Sequence, residues 1–429
     1  MRLPETPLSQ TQVVANKDLF QNIQGYCLVN HGRKNVWLAL TSFEPQTDES
    51  RQRLRAQISA CGAGTTTAFD LRESYAAYQS AKKAVASGSL ANPKPGLVTA
   101  VGLSSRAYAL LPPGSKPLNA SFEAGFAAKF PQSMAEPPQP ARYDAVIVVA
   151  GDDPGEVERQ ASALTAKFQG LATLAWQKGS IKKQADNLVH DHFGFPEGIS
   201  QPVFFEDEPH RNDTWTSSWD PKASLEYVLF PQPGRAAETE YGSLMAFLRV
   251  RSNTVALDTI VAETRTATYK GPDDIKSWIL GREMSGESLI PSTSRDRNDF
   301  DFSSKSESGK CPMAAHIRKM NPRVEYLRTH RILRRSASYE ESGEKGTLFQ
   351  CFQSNLESGF ETLFRWAQDK NAPEPNGGAD AVLSKRDFPP TPAGVRPVTA
   401  PLTHKSFVDV LGGEYFFFPS IPFFKRLAS

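Results

Sequence analysis

Four times along the 429-residue chain an apolar run suited to a strand passes through a short polar turn into a helical pattern. That repetition constrains the fold more than any other feature. The runs are Val36–Thr41, Ala145–Ala150, Leu244–Val250 and Leu348–Gln353, and the turns are Thr47–Asp48–Glu49, Asp153–Pro154, Ser252 and Ser354–Asn355. Short polar side chains at such turns accept from the first free N–H groups of a helix, and proline suits its first position. The helix after the second run sets Val157, Ala161, Leu164, Phe168 and Leu171 on one stripe; the helix after the fourth does the same with Leu356, Phe360, Leu363 and Phe364. Each has one face to bury against a sheet. Two units per half predict two α+β sandwiches, residues 1–178 and 186–429, in which helices cover one side of a mostly antiparallel sheet.

Composition narrows the partners. Forty-nine Lys+Arg against 47 Asp+Glu give a net charge of +2, which creates no field able to gather nucleic acid or anionic lipid. A small-molecule partner is expected, with no nucleic acid and no membrane. Cys27, Cys61, Cys311 and Cys351 have no metal or redox spacing and read as reduced core thiols. The start lacks a basic segment followed by an apolar run, so the expected location is the cytoplasm. The stretch Tyr415–Phe424 is about half the ~20 residues of a membrane span and reads as a core strand and turn. Glu206–Pro233, Ser292–Gly309 and Asn371–Pro401 are rich in Pro, Gly, Ser and charge and read as long surface excursions. All three decorate the second half, which is therefore expected to carry the site.

Three residues can do chemistry. His316, in CPMAAHIRKMNPR, follows small residues and precedes Arg318, Lys319 and Arg323. A neutral imidazole ligates iron, and neighbouring cations can neutralise haem propionates. In the pair Arg334–Arg335, strand alternation sends one arginine inward and the other to solvent; an inward guanidinium beside peroxide would stabilise the anion formed as the O–O bond polarises. Glu197, in FGFPEGISQP, has no second acid within four residues and can take a proton from peroxide and then return it.

The order of these pieces resembles the dye-decolorizing peroxidase family over nearly the whole chain. LFQNIQGYCLVNHGRKNVWLAL is similar to the family's opening segment and TAVGLSSRAYALL to a later one. FGFPEGISQP matches FGF-x-DG-x-x-x-P except at the acid; AHIRKMNPR, HRILRRSASYE, LFQCFQSNLESGFE and GGEYFFFP resemble the family's remaining segments. The resemblance implies two ferredoxin-like halves, barrel-like together, with haem b in the second. It implies His316 as the iron ligand, Glu197 as distal proton shuttle, Arg334 as the distal arginine that stabilises charge, and Arg318 with Arg334 beside the cofactor. Hydrogen peroxide and a phenolic, dye or other bulky aromatic reductant would be the partners, and a homo-oligomer is compatible. The alternative is a haem-binding or haem-delivery protein of the same fold with weak peroxidase activity. In two places the chain departs from the family. Glu197 stands where aspartate is usual, moving the carboxylate outward by about 1.5 Å, and Ser336 and Glu340 replace usual glycines near the distal arginine. Glu414 is the expected carboxylate partner of the ligand histidine. Tyr339, Tyr326, Trp366, Trp278, Trp215 and Trp219 are candidate electron relays. Activity is expected to favour acidic pH and to fail once Glu197 is protonated.

Overall fold

A computed structural model describes every residue except 1, 87–95, 112–113, 134–142, 185–187, 209–220, 265–271, 291–297, 303–309, 376, 385–405 and 428–429. Eight strands dominate it: β1 Asn35–Phe43, β2 Val98–Leu103, β3 Ala145–Gly151, β4 Ala172–Ser180, β5 Tyr241–Ser252, β6 Ala337–Glu341, β7 Glu344–Gln353 and β8 Val408–Phe418. The first four pair antiparallel in the order β4-β1-β3-β2, and the second four in the order β8-β5-β7-β6. In each half, therefore, the fourth strand lies beside the first, the first beside the third and the third beside the second, the ferredoxin-like order. Helices follow the first and third strands of each half, as the repeated strand–turn–helix pattern requires.

The two sheets join edge to edge. β4 meets β6 at Ser180↔Ser338 and Gly179↔Tyr339, while β2 meets β8 at Leu103↔Phe417. The eight strands thus close into one antiparallel barrel, which leaves neither half with an open edge. Alternation along the strands divides the core. Val36, Leu38, Leu40, Val146, Val148, Met245, Phe352 and Phe416 share one buried cluster. Ala39, Ile147 and Val149 join a second with Leu54, Ile58 and Leu164 of the covering helices.

Local signals act as the sequence suggests. Thr47 caps Asp48–Ala63 through a bond to Ser50 N–H, and Asp153 caps Pro154–Lys167 by accepting from Gly155 and Glu156. After β7 the chain makes a π-turn at Glu357–Glu361 before Thr362–Gln368, keeping Leu356, Phe360, Leu363 and Phe364 buried. The closing stretch differs from expectation: Tyr415–Phe418 ends β8, but Ile421–Arg426 is a helix, with Pro422 in its first turn. All four cysteines are free thiols, three of them buried. Among the described residues no helix is long and apolar enough to cross a membrane.

Candidate active site

A cavity of about 2090 Å³ opens on the helix-covered side of the second half. Its apolar wall comes from Leu248 and Val250 of β5, Phe349 of β7, and Phe360, Leu363 and Phe364 of the π-turn and following helix. His316, Glu197 and Arg334 all line this one space. The sequence separates them by up to 137 residues; the fold brings them together.

His316 begins the short helix His316–Met320. Its Nδ1 lies 3.0 Å from Oδ2 and 3.2 Å from Oδ1 of Asp380, a carboxylate with almost no solvent exposure. Asp380 is itself fixed by Val382 N–H (2.8 Å) and Leu383 N–H (2.7 Å), and its own N–H donates to Ala367 O. The imidazole is therefore held with its proton on Nδ1, leaving Nε2 as the electron-pair donor.

Glu414, the expected partner, lies elsewhere: its Oε1 accepts from Tyr415 N–H, and Gly125 packs beside it. Burial pushes that carboxyl up to about 7. Asp380 was missed because Asn371–Pro401 reads as a polar surface excursion. The run Ala379-Asp380-Ala381-Val382-Leu383, small and apolar around one acid, was the available signal.

Arg318 does not face the cavity. Its Nε and Nη2 form a bidentate pair with Glu374 (2.7 and 2.6 Å), and Nη1 donates to Cys311 O. Lys319 is likewise turned inward, donating to Asp369 O and Ala372 O. Both side chains are committed to protein acceptors, which is why they are not cofactor-facing cations. Arg323 and Arg331 line the cavity instead.

Also lining the cavity, the segment Val189–His190 pairs antiparallel with Pro196–Glu197, and Gly194 (φ 85°) and Gly198 (φ 71°) turn the chain at either side. Both glycines adopt a left-handed backbone that side chains disfavour. A Cβ built on either would meet nothing within 4 Å, so the backbone angle and not close packing requires glycine here. Lys276 Nζ anchors the turn at Phe193 O (3.0 Å). The Gln201 side-chain amide bonds both ways to the backbone of Arg334, Oε1 accepting from its N–H and Nε2 donating to its O, each at 3.2 Å. The acid-bearing segment and the arginine are thereby placed as one unit.

The two arginines of the pair differ: Arg335 is buried, while Arg334 is half-buried and lines the cavity. Arg335 donates to Leu28 O and Arg334 O. Arg334 donates through Nη2 to Ser200 O; among the described residues its Nε and Nη1 donate to no protein group. Burial lowers its pKa, opposed by the charge of Glu197. The carboxylate of Glu197 accepts no hydrogen bond from any described residue. Burial first, and then the charge of Asp191, push it up to about 7, against Arg334 and His190. Of the two departures from the family pattern, Ser336 lines the cavity while Glu340 is exposed on β6.

The candidate relays fall into different places. Tyr339 is buried with its hydroxyl donating to Glu344 (2.8 Å), and Trp278 lies in the core. Trp366 lines the cavity edge-on to His330, ring centroids 5.0 Å apart. Trp215, Trp219 and the side chain of Tyr326 lie outside the described residues.

The donor set fits haem. One imidazole is free only at Nε2, an apolar wall can hold a flat ring, and a guanidinium and an unbonded carboxylate share the same space. Fold and site together define a class, the oxidoreductases built on a two-half α+β barrel. Residues 279–377 match the family model for the C-terminal part of Dyp-type peroxidases, a span that includes His316 and Arg334. The multifunctional dye peroxidase DyP2 of Amycolatopsis sp. is 29% identical over 383 residues, 76% of this chain and 81% of that one. The dye-decolorizing peroxidase msp1 of Mycetinis scorodonius is 25% identical over 348 residues, 66% of each chain, just under two thirds of its length. The crystal structure of the Anabaena DyP-type peroxidase AnaPX superposes with a TM-score of 0.85 at 25% identity, covering 99% of this chain and 98% of that one. The chain is thus similar to the DyP-type peroxidases, a family of haem oxidoreductases, in sequence over most of its length and in fold over nearly all of it.

Proposed function

We propose that the protein is a haem b peroxidase that uses hydrogen peroxide to oxidise phenolic, dye or other bulky aromatic donors. One observation carries the assignment: a half-buried carboxylate with no hydrogen-bond partner among the described residues, Glu197, lines the same cavity as the open nitrogen of His316. An acid left without a partner in a largely desolvated cavity costs stability, and proton exchange with a substrate is a reason to keep one.

His316 would hold the iron through Nε2, and Asp380 would raise the basicity of that nitrogen by accepting the Nδ1 proton. Of the several cations that line the cavity, Arg323 and Arg331, near His316 in sequence, would pair with the propionates. When bound, the haem supplies the two-electron chemistry that peroxide reduction requires. Glu197 takes the first proton from peroxide and returns it to the departing oxygen, so that water leaves. Arg334, with donors uncommitted to the protein, steadies the negative charge that builds on peroxide between those transfers. The extra methylene of glutamate extends the carboxylate by about 1.5 Å relative to aspartate, and Glu197 lines the cavity.

The test is spectroscopic. Protein expressed with ample haem should carry a Soret band that His316→Ala removes or shifts strongly. Mixing with peroxide should change the wild-type spectrum within milliseconds to seconds, and a phenol should restore it. A protein without a Soret band, or one that peroxide only bleaches slowly, would refute the assignment.

A further inference from the structure

A second acid stands beside Glu197 that the proton step as written does not use. Antiparallel pairing sets Val189 opposite Glu197 and His190 opposite Pro196, and Asp191 N–H donates to Phe195 O (3.0 Å), extending the same register. Side chains alternate along a strand, so Val189 and Asp191 share a face, and that face carries Glu197. Asp191 is thus the diagonal neighbour of Glu197, a placement that separates Cβ atoms by about 7 Å. Both residues line the cavity.

Only one oxygen of Asp191 is occupied. Oδ1 accepts from Phe193 N–H (2.8 Å) and Phe195 N–H (2.9 Å), while Oδ2 accepts from no described residue. The charged groups facing the pair are few. His190, on the same hairpin, acts on both acids; Lys276, on Pro272–Leu280, acts on Asp191; Arg334 acts on Glu197. We propose that Asp191 is a positioning residue for the proton step: its carboxylate, diagonal to Glu197 on one hairpin face, holds the proton on Glu197 and so sets the pH at which Glu197 begins to accept. Two carboxylates confined this closely resist carrying charge together, and the one with bonded N–H groups keeps its charge more easily. The raised pKa of each acid, about 6 for Asp191 and about 7 for Glu197, agrees with that ordering.

The inference rests on the reading of Glu197 as the proton carrier, and its test separates the two. Asp191→Asn keeps an oxygen for the Phe193 and Phe195 N–H groups and removes only the charge. In stopped-flow mixing of the haem-loaded enzyme with hydrogen peroxide, the pH midpoint of the reaction should fall by about one unit. The high-pH plateau should stay within about twofold, and one pH unit below the wild-type midpoint the variant should react about fivefold faster. Asp191→Glu should restore the wild-type midpoint. If Asp191→Asn does not fold, Asp191→Ser carries the same expectation.

An unmoved midpoint would overturn the inference and leave Asp191 as a turn-former. A plateau that falls more than about tenfold would overturn it too, because Asp191 would then accept the proton itself. A Glu197→Gln enzyme that kept the wild-type rate and pH profile would instead remove the reading of Glu197, whatever Asp191 does.

Discussion

Glu197→Gln should make the protein more stable and nearly inert towards peroxide. The carboxyl is pushed from 4.5 to about 7 in the folded chain. A group whose folded pKa is raised binds protons more tightly folded than unfolded, so stability is retained at low pH. It falls as pH rises through the interval from 4.5 to about 7. Above that interval the charged Glu197 costs at most about 3 kcal/mol, part of which belongs to repulsion shared with Asp191. Glutamine keeps the length of the side chain and carries no charge. For a chain of this size, unfolding entropy near the midpoint is about 0.9 kcal/mol per degree, so the variant should gain about 3 °C in Tm at pH 8. The gain should vanish below pH about 4.5, where both states are protonated. Calorimetry at pH 4.5, 6 and 8 on equally haem-loaded samples measures it, and stopped-flow mixing at pH 8 measures the peroxide step, expected to slow by at least about a hundredfold. The expectation of an acidic optimum concerns the whole turnover, whereas a proton-accepting Glu197 favours the opposite direction; the peroxide step must therefore be measured by itself. A variant less stable than wild type at pH 8, or a stability difference independent of pH, would refute the electrostatic reasoning even if the rate fell.

Asp380→Asn keeps an acceptor for Val382 and Leu383 N–H and removes the charge behind His316. Its reduction potential should rise and its peroxide reaction slow by about 10- to 100-fold, read by spectroelectrochemistry and stopped flow. Arg318→Ala breaks a bidentate ion pair at a buried guanidinium and strands Glu374. It should cost about 3 kcal/mol by denaturant titration while leaving the Soret band unchanged; an unchanged midpoint with lost haem would restore Arg318 as a cofactor contact.

What the sequence revealed follows from which interactions are local along the chain. Strand, cap and helix recur within windows of about 30 residues, so both ferredoxin-like halves were legible from apolar spacing and from residues such as Thr47 and Asp153. Closure of the barrel was not. It depends on Gly179 meeting Tyr339 and on Leu103 meeting Phe417, pairings between distant edges that no local period records. The site divides the same way. Glu197, His316 and Arg334 each sit in a short segment with a distinctive pattern, so they could be named before their meeting in one cavity was seen. Asp380 supports His316 from 64 residues away and lies in a stretch whose composition argues for the surface. Arg318 gave the opposite error: closeness to His316 in sequence suggested a shared purpose, yet two residues along a helix turn a side chain through about 200°. Asp191 is the most instructive miss. A search for a second acid within four residues of Glu197 stops two short of it, because linear distance was the wrong measure for a hairpin. Once the chain reverses at Gly194, the partner is found by adding positions across the turn, and 191 with 195, like 189 with 197, gives the same sum. Two acids placed by that rule on one face constrain each other's charge, whatever else the cavity holds.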